Sequence, residues 1–488
     1  MKTITIVGGG TAGYITALIL KTRYGSNIDI QLIKSDKIGI IGVGEGSTEH
    51  WKEFMDFVGI DFKELITECD ATLKCGIMFK NWTGNDFLHN VNELKNFKHG
   101  QHLASYLKLM NEDCDVKELN NPWFWENKVG REFLLSELHN CPTNQYHFNT
   151  FKLNEFLNKK SIEKGLRVID DEIVDVELNN KGEISNLKGE KNNYNTDFYI
   201  DCTGFKRLLI SKLGAKWKSY SKYLKMKEAI AFPTNGTDEY NVYTIARAMK
   251  YGWAWHIPTY GRWGNGYIFD SDYISADDAK QEIEETLGHK IDIGKHVKFD
   301  PGCLDKPWIK NCLAVGLSAN FVEPLEATSI GTSINQMFLF IHMFDNYNQK
   351  IIDDYNYKME LIMNNIRDFI VLHYITKRDD TSFWKDLKTM KIPDTLRENI
   401  ERWQTRLPIR DDFRETNYYL FLEHNYSQIL YALDLLNKEN IKILYNSFNE
   451  EHRKHFDIGM NEYKNNLNVP QVKHKTYLKA IRAMYATV

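Results

Sequence analysis

The chain lacks the features that would tie it to an oxidising compartment, a membrane or a nucleic acid. Its seven cysteines, Cys69, Cys75, Cys114, Cys141, Cys202, Cys303 and Cys312, are odd in number and scattered, with no CxxC pair. That argues for reduced thiols in a cytoplasmic setting and against a disulfide framework or a zinc ribbon. No stretch approaches the ~18 apolar residues of a membrane span, and glycines interrupt the run MKTITIVGGGTAGYITALIL where a signal peptide would continue. A surplus of positive charge is missing too: 62 Lys and Arg against 66 Asp and Glu leave a formal net charge of -4. Neither nucleic acid nor a membrane is therefore an expected partner. His452 and His455 in EHRKH have no second ligand pair, so no metal is expected there. Internal repeats, low-complexity tracts and flexible linkers are likewise absent.

What remains is an ordinary globular composition, 42% hydrophobic and 26% charged, in a chain long enough for about two to four lobes. TITIV (3–7), GGGTAG and YITALILKTR read as strand, glycine turn and helix, and IDIQLIK supplies the next strand of a βαβ start. Gly8, Gly10 and Gly13 stand in GxGxxG spacing, which suits a tight turn, close approach of backbone to a pyrophosphate, and close helix packing. With Thr11 and Ala12 between them they form the candidate dinucleotide turn. Asp36 in IKSDK is the acidic residue available after the second strand, although the ribose contact stays open. Two further apolar strands empty into glycine turns: DFYIDCTGF, with Thr203 and Gly204, and NCLAVGLSANFVEP, with Gly316. Three such turns drawn from distant segments suit FAD better than the contiguous unit of a simple NAD site.

Elsewhere, TLKCGIMFKNW reads as one alternating strand, with Leu73, Cys75, Ile77 and Phe79 on a buried face and Lys74 on the opposite one. After about Thr332 the apolar spacing turns helical. The expectation is an α/β fold: an FAD-binding, Rossmann-like module assembled from separated segments over 1–335 with an interleaved substrate sheet, then a mainly helical module over 336–488. In YGWAWHIPTYG (251–261), Trp253 and Trp255 share one strand face, and Pro258 denies a partner strand at its nitrogen. An isolated WxW of this kind reads as a sheet edge folded into a core.

The order of several stretches is more specific. IVGGGTAG, GVGEGST, KCGIMFKNW, DCTGF, GWAWHIP, FVEPLEATSI and IRDFIVLHYITKRDDTSFW together make the sequence resemble the flavin-dependent halogenases, the family that includes the tryptophan halogenases. The resemblance implies that FADH2, delivered by a separate flavin reductase, reacts with O2 to give a flavin hydroperoxide. Attack by a halide ion (chloride, bromide or iodide) then gives hypohalous acid, which travels through a tunnel to Lys74. Glu326 is implied as its partner, Thr328 and Ser329 as the halide cradle, and Trp253, Trp255, Ile257 and Pro258 as the wall between flavin and substrate. Gly44, Glu45 and Ile330 join the implied flavin contacts. A lysine in a cavity can hydrogen-bond hypohalous acid or be halogenated by it, and a carboxylate can stabilise the cationic ring and take its proton. The substrate implied is an electron-rich aromatic small molecule such as an indole or phenol. Lys80 is the rival lysine, and a homo-oligomer is left open.

Several positions depart from the family pattern. EPLEATSI replaces the usual EPLESTGI, which places Ala327 and Ser329 at the halide loop and motivates an expected preference for bromide or iodide. Cys303 stands where an arginine is common, suggesting a missing flavin or substrate contact, and Tyr426 stands near a usual tryptophan. The stretch from Trp82 to Phe97 is short, which suggests an open substrate side. KWKSYSKYLKMK (216–227) reads as a solvated loop beside the flavin. Two other readings compete: an NAD(P)H-reduced flavin monooxygenase on the same fold, and a non-catalytic flavin-binding protein.

Overall fold

A computed structural model describes residues 2–40, 42, 45–90, 122–130, 145–236, 239–455, 458 and 470–485. Strands from three distant parts of the chain build one six-stranded sheet. Its order is Trp308–Ile309, Cys312–Ala314, Phe198–Asp201, Thr3–Val7, Asp29–Lys34 and Arg167–Asp170. All neighbours are parallel except the first pair. The three glycine turns therefore leave the same end of neighbouring parallel strands, where α/β folds bind their ligands. Helix Thr11–Tyr24 packs between helices Thr150–Glu163 and Thr328–Met343. Its buried Tyr14, Ile15, Leu18 and Ile19 belong to a core that continues into the C-terminal helices.

A seven-stranded sheet forms the second layer, in the order Lys295–Lys298, Glu228–Asn235, Arg262–Phe269, Gly252–Thr259, Thr244–Ala248, Ile77–Lys80 and Phe87–His89. The tryptophan strand is interior, which corrects the sheet-edge reading. Thr244–Ala248 pairs only with the part of it up to His256, so Pro258 lies beyond that ladder, where its missing N–H costs nothing. The face holding Trp255 can close only because residue 266 is glycine: a Cβ there would lie 2.1 Å from the indole ring. The C-terminal region is helical, with Gln349–His373 as its long buried rod. The division expected at 335/336 runs through helix Thr328–Met343.

TLKCGIMFKNW is not one strand. Thr72–Leu73 joins a small sheet with Tyr146–Phe148, while Ile77–Lys80 joins the large one. In the step between them, the Lys74 amide donates to the Gln145 carbonyl at 3.0 Å and the Cys75 amide to the Val242 carbonyl at 2.6 Å. The chain switches sheets where protein covers both sides, so Lys74 and Met78 are as buried as Leu73 and Ile77. Alternation in the sequence marked one buried face and could not reveal that the other was covered too. The segment 216–227 also departs from expectation: its lysines stay near water, but Tyr220, Tyr223, Leu224 and Met226 are core residues. Arg367 lies over both of those rings.

Gly266→Ala is expected to overpack the Trp255 site and cost about 1–3 kcal/mol, read as a lower urea midpoint; an unchanged midpoint would mean that the indole can move aside freely.

Candidate active site

The three glycine turns open into a cavity of about 910 Å³, at the upper end of the ~300–1,000 Å³ usual for cofactor sites. Gly8, Gly10, Thr11, Ala12, Asp36, Glu45, Thr203, Gly204, Gly316, Ser329 and Ile330 all line it. Gly13 lies beneath, where a Cβ would fall 1.9 Å from the Gly8 carbonyl oxygen. At Gly10 a Cβ would meet nothing within 4 Å, so the backbone at the start of helix Thr11–Tyr24 is open to an anion, and no side chain caps that helix. Gly44, Cys114, Cys141 and positions 91–97 lie outside the described residues.

Five carboxylates line the cavity: Asp36, Glu45, Glu155, Asp171 and Glu172. Asp36 is paired with Lys34. Burial pushes the Glu45 carboxyl up to about 7 against a bond from Thr11, and its Oε2 is sealed without a partner among the described residues. An orphaned acceptor, an open helix terminus and three converging turns fit a dinucleotide with hydroxyls to donate. From the large sheet, Trp255 and Ile257 form part of the opposite wall. Trp253 packs behind Trp255, ring centroids 6.0 Å apart, and does not reach the cavity. Pro258 does not line it either, and its carbonyl accepts the Thr72 hydroxyl at 2.6 Å.

Lys74 and Glu326 lie outside this cavity, both with no solvent exposure. Glu326 ends a short turn, Pro324–Glu326; Ala327, at φ 54, then reverses the backbone into helix Thr328–Met343. That left-handed residue lets Ala327 line the cavity while the Glu326 side chain is buried away from it. Gly46 shares the partition: a Cβ on it would lie 3.5 Å from the Ala327 Cβ and 3.7 Å from Lys74 Nζ. Thr328 is buried at the helix start, whose first turn no side chain caps.

Lys74 Nζ donates to the Ser47 carbonyl at 2.7 Å. Burial pulls its ammonium down to about 8, against the opposing charges of Glu326 and Glu49. Neighbouring His147 is held well below its usual range by burial and by Lys74. For Glu326 burial would raise the carboxyl, but the adjoining His89 and His373 overcome it and hold it below the usual carboxylate range. His89 Nδ1 lies 2.9 and 3.0 Å from the two carboxyl oxygens, and His373 Nε2 lies 2.9 Å from Oε1. Close by, Tyr374 donates to Glu323, whose carboxyl burial pushes up to about 7. The Trp253 N–H tempers that shift yet falls short of hydrogen-bond geometry.

His89, His373, Glu49 and the Glu323–Tyr374 pair were not singled out from the sequence, although His373 sits within IRDFIVLHYI and Glu49 directly follows GEGST. Lys80, the rival lysine, sits partly exposed at the end of its strand, outside the cavity. Cys303 is buried against the Tyr220 hydroxyl, 3.2 Å away, and Tyr426 donates to the Asn365 carbonyl within an aromatic core; neither borders the cavity. Among the described residues no His, Cys, Asp and Glu cluster could hold a metal, and no helix is long and apolar enough to cross a membrane.

The model for the tryptophan halogenases matches residues 3–447. The chain belongs to the tryptophan halogenase family. Its curated relatives include tryptophan 6-halogenase SttH of Streptomyces toxytricini, 33% identical over 442 residues that cover 83% of this chain and 84% of SttH. The crystal structure of SttH superposes with a TM-score of 0.88 at 28% identity, covering 98% of this chain and 99% of that one. A tryptophan halogenase from Shewanella frigidimarina gives 0.89 at 25% identity, over 99% and 98%. This protein is thus a flavin-dependent halogenase with the Rossmann-like cofactor fold and helical C-terminal region of that family.

Glu49, beside Lys74 and His89, gives the site a stability signature. Burial pushes its carboxyl up to about 7, with Lys74 and His89 opposing, and its Oε2 has no partner among the described residues although the residue as a whole is only half-buried. A raised carboxyl weakens the fold as pH climbs from its unfolded value, about 4.3, through 7. Glu49→Gln is therefore expected to raise the urea midpoint of the cofactor-free protein at pH 8 and leave it nearly unchanged at pH 5. Equal effects at both pH values would show that the carboxyl is not titrating in that window.

Proposed function

We propose that this enzyme halogenates electron-rich aromatic small molecules, indoles and phenols, at a chamber built around Lys74 and Glu326. The observation that carries the reading is the partition. A buried lysine and a buried glutamate lie just behind Gly46 and Ala327, which themselves border the dinucleotide cavity. The glycine turns at Gly10, Gly204 and Gly316, with Glu45 and Asp36, would hold FAD. Bound as FADH2, the flavin supplies with O2 the oxidising power that turns a halide into hypohalous acid. A separate reductase would deliver it.

The protein's own groups do the rest. Thr328 and Ser329 offer the uncapped amides of a helix start to the halide, where the helix dipole favours an anion. Trp255 and Ile257 keep the aromatic substrate off the flavin side, and Trp253 stiffens them from behind. Lys74, with its ammonium pulled down to about 8, is accessible both as a charged donor to hypohalous acid and as a neutral amine able to capture its halogen. Electrophilic attack then generates a cationic ring, for which Glu326 is the fixed counter-charge.

Lys74→Ala is expected to lower product formation by at least ~100-fold while FAD binding is retained, in assays with a generic flavin reductase, each halide and a mixed indole and phenol panel read by mass spectrometry. Halogenation that survives in Lys74→Ala and vanishes in Lys80→Ala would move the role to Lys80. Rapid reduction of bound FAD by NAD(P)H alone, with hydroxylated products, would favour the monooxygenase reading. Because Ser329 replaces the usual glycine beside the helix start, bromide and iodide are expected to outcompete chloride. Faster chlorination in a mixed-halide assay would refute that preference.

A further inference from the structure

The hydrogen bonds around Glu326 fix where protons must be. Asn425 Oδ1 accepts from the Leu422 amide at 2.9 Å, which turns its Nδ2 toward His89 Nε2 at 3.3 Å. His89 Nε2 is therefore an acceptor, and its proton sits on Nδ1, donated to the Glu326 carboxylate. His373 differs. Its Nδ1 faces the Phe369 carbonyl at 2.8 Å, and its Nε2 faces Glu326 Oε1 at 2.9 Å. Both neighbours are acceptors, so a neutral imidazole can satisfy only one of them unless Glu326 itself carries a proton.

We propose that His373 is an imidazolium, locked between the Phe369 carbonyl and Glu326, and that this positive partner keeps the active-site carboxylate ionised inside the protein. His373 is thus a positioning residue whose charge, and not its shape alone, prepares Glu326. The inference rests on the halogenase reading for its functional meaning. Phe79, 5.0 Å from the imidazole ring at 31°, lies within cation–π distance. The other titratable groups facing the pair are Lys74, Glu49 and His89, with Glu323 and Tyr374 on the flank. Lys74 is pulled down toward neutrality by burial, so it is a weaker guarantor of the carboxylate than an imidazolium in direct contact. A carboxylate gripped by two ring N–H donors is a stable negative charge for a cationic ring and a poor final acceptor for the proton that the ring sheds.

Two measurements test this. In a neutron structure of the wild-type chain at pH 7.5, deuterium is expected on both ring nitrogens of His373 and only on Nδ1 of His89. A bare Nε2 on His373 with deuterium on Glu326 would overturn the proposal whether or not the enzyme halogenates. Then, in full-chain enzyme supplied with reductase and bromide, His373→Gln keeps a donor to Oε1 but removes the charge. Its kcat is expected to fall at least ~10-fold at pH 7 and to recover toward pH 9 as the buried carboxylate ionises, with flavin affinity unchanged; Glu326→Gln should show no recovery. A variant profile parallel to that of the wild type refutes the charge role. Absence of halogenated product from the wild type would instead sink the halogenase reading and leave the neutron result to judge His373.

Discussion

An ammonium and a carboxylate taken out of water cost several kcal/mol each unless the protein replaces what water gave them, and most of the structure around Lys74 and Glu326 serves that replacement. Lys74 is met by the carbonyl of Ser47 and by the fields of Glu49 and Glu326. Glu326 is met by His89 from the edge of the large sheet and by His373 from the end of a long helix. Those partners are 237 and 47 residues away in sequence. The two lobes must therefore share one core, and the core that joins the flavin sheet to the C-terminal helices is continuous.

The same geometry separates the glycine-turn cavity from the buried Lys74 and Glu326 pair. Ala327 holds a left-handed conformation that costs a non-glycine residue about 1–2 kcal/mol. In return it turns the chain so that one residue borders the glycine-turn cavity and the residue before it is buried behind. Trp255, packed close against Gly266, gives the cavity part of its wall.

The glycine turns and the order of the family motifs were legible in the sequence because each is a local signal or part of a recognisable string, and that string is what singled out Lys74 and Glu326 as candidates. The errors came where burial depends on remote neighbours. TLKCGIMFKNW alternates as a single strand would, yet it changes sheets between Leu73 and Ile77 because Tyr146–Phe148 and Thr244–Ala248 compete for its two halves. The rings of 220–226 looked like a loop because the core residues they pack among, and Arg367 that lies over Tyr220 and Tyr223, come from distant parts of the chain.

Local residue chemistry thus marked the glycine turn suited to a pyrophosphate, and the order of the family motifs pointed to Lys74, Glu326 and the tryptophan strand as candidates. Only the tertiary structure decided their electrical state. Whether a carboxyl is raised, like Glu49, or held low, like Glu326, depends on which donors arrive from distant segments to replace water. No spacing along the chain records that two histidines would converge on one of these acids and leave one oxygen of the other without a partner among the described residues.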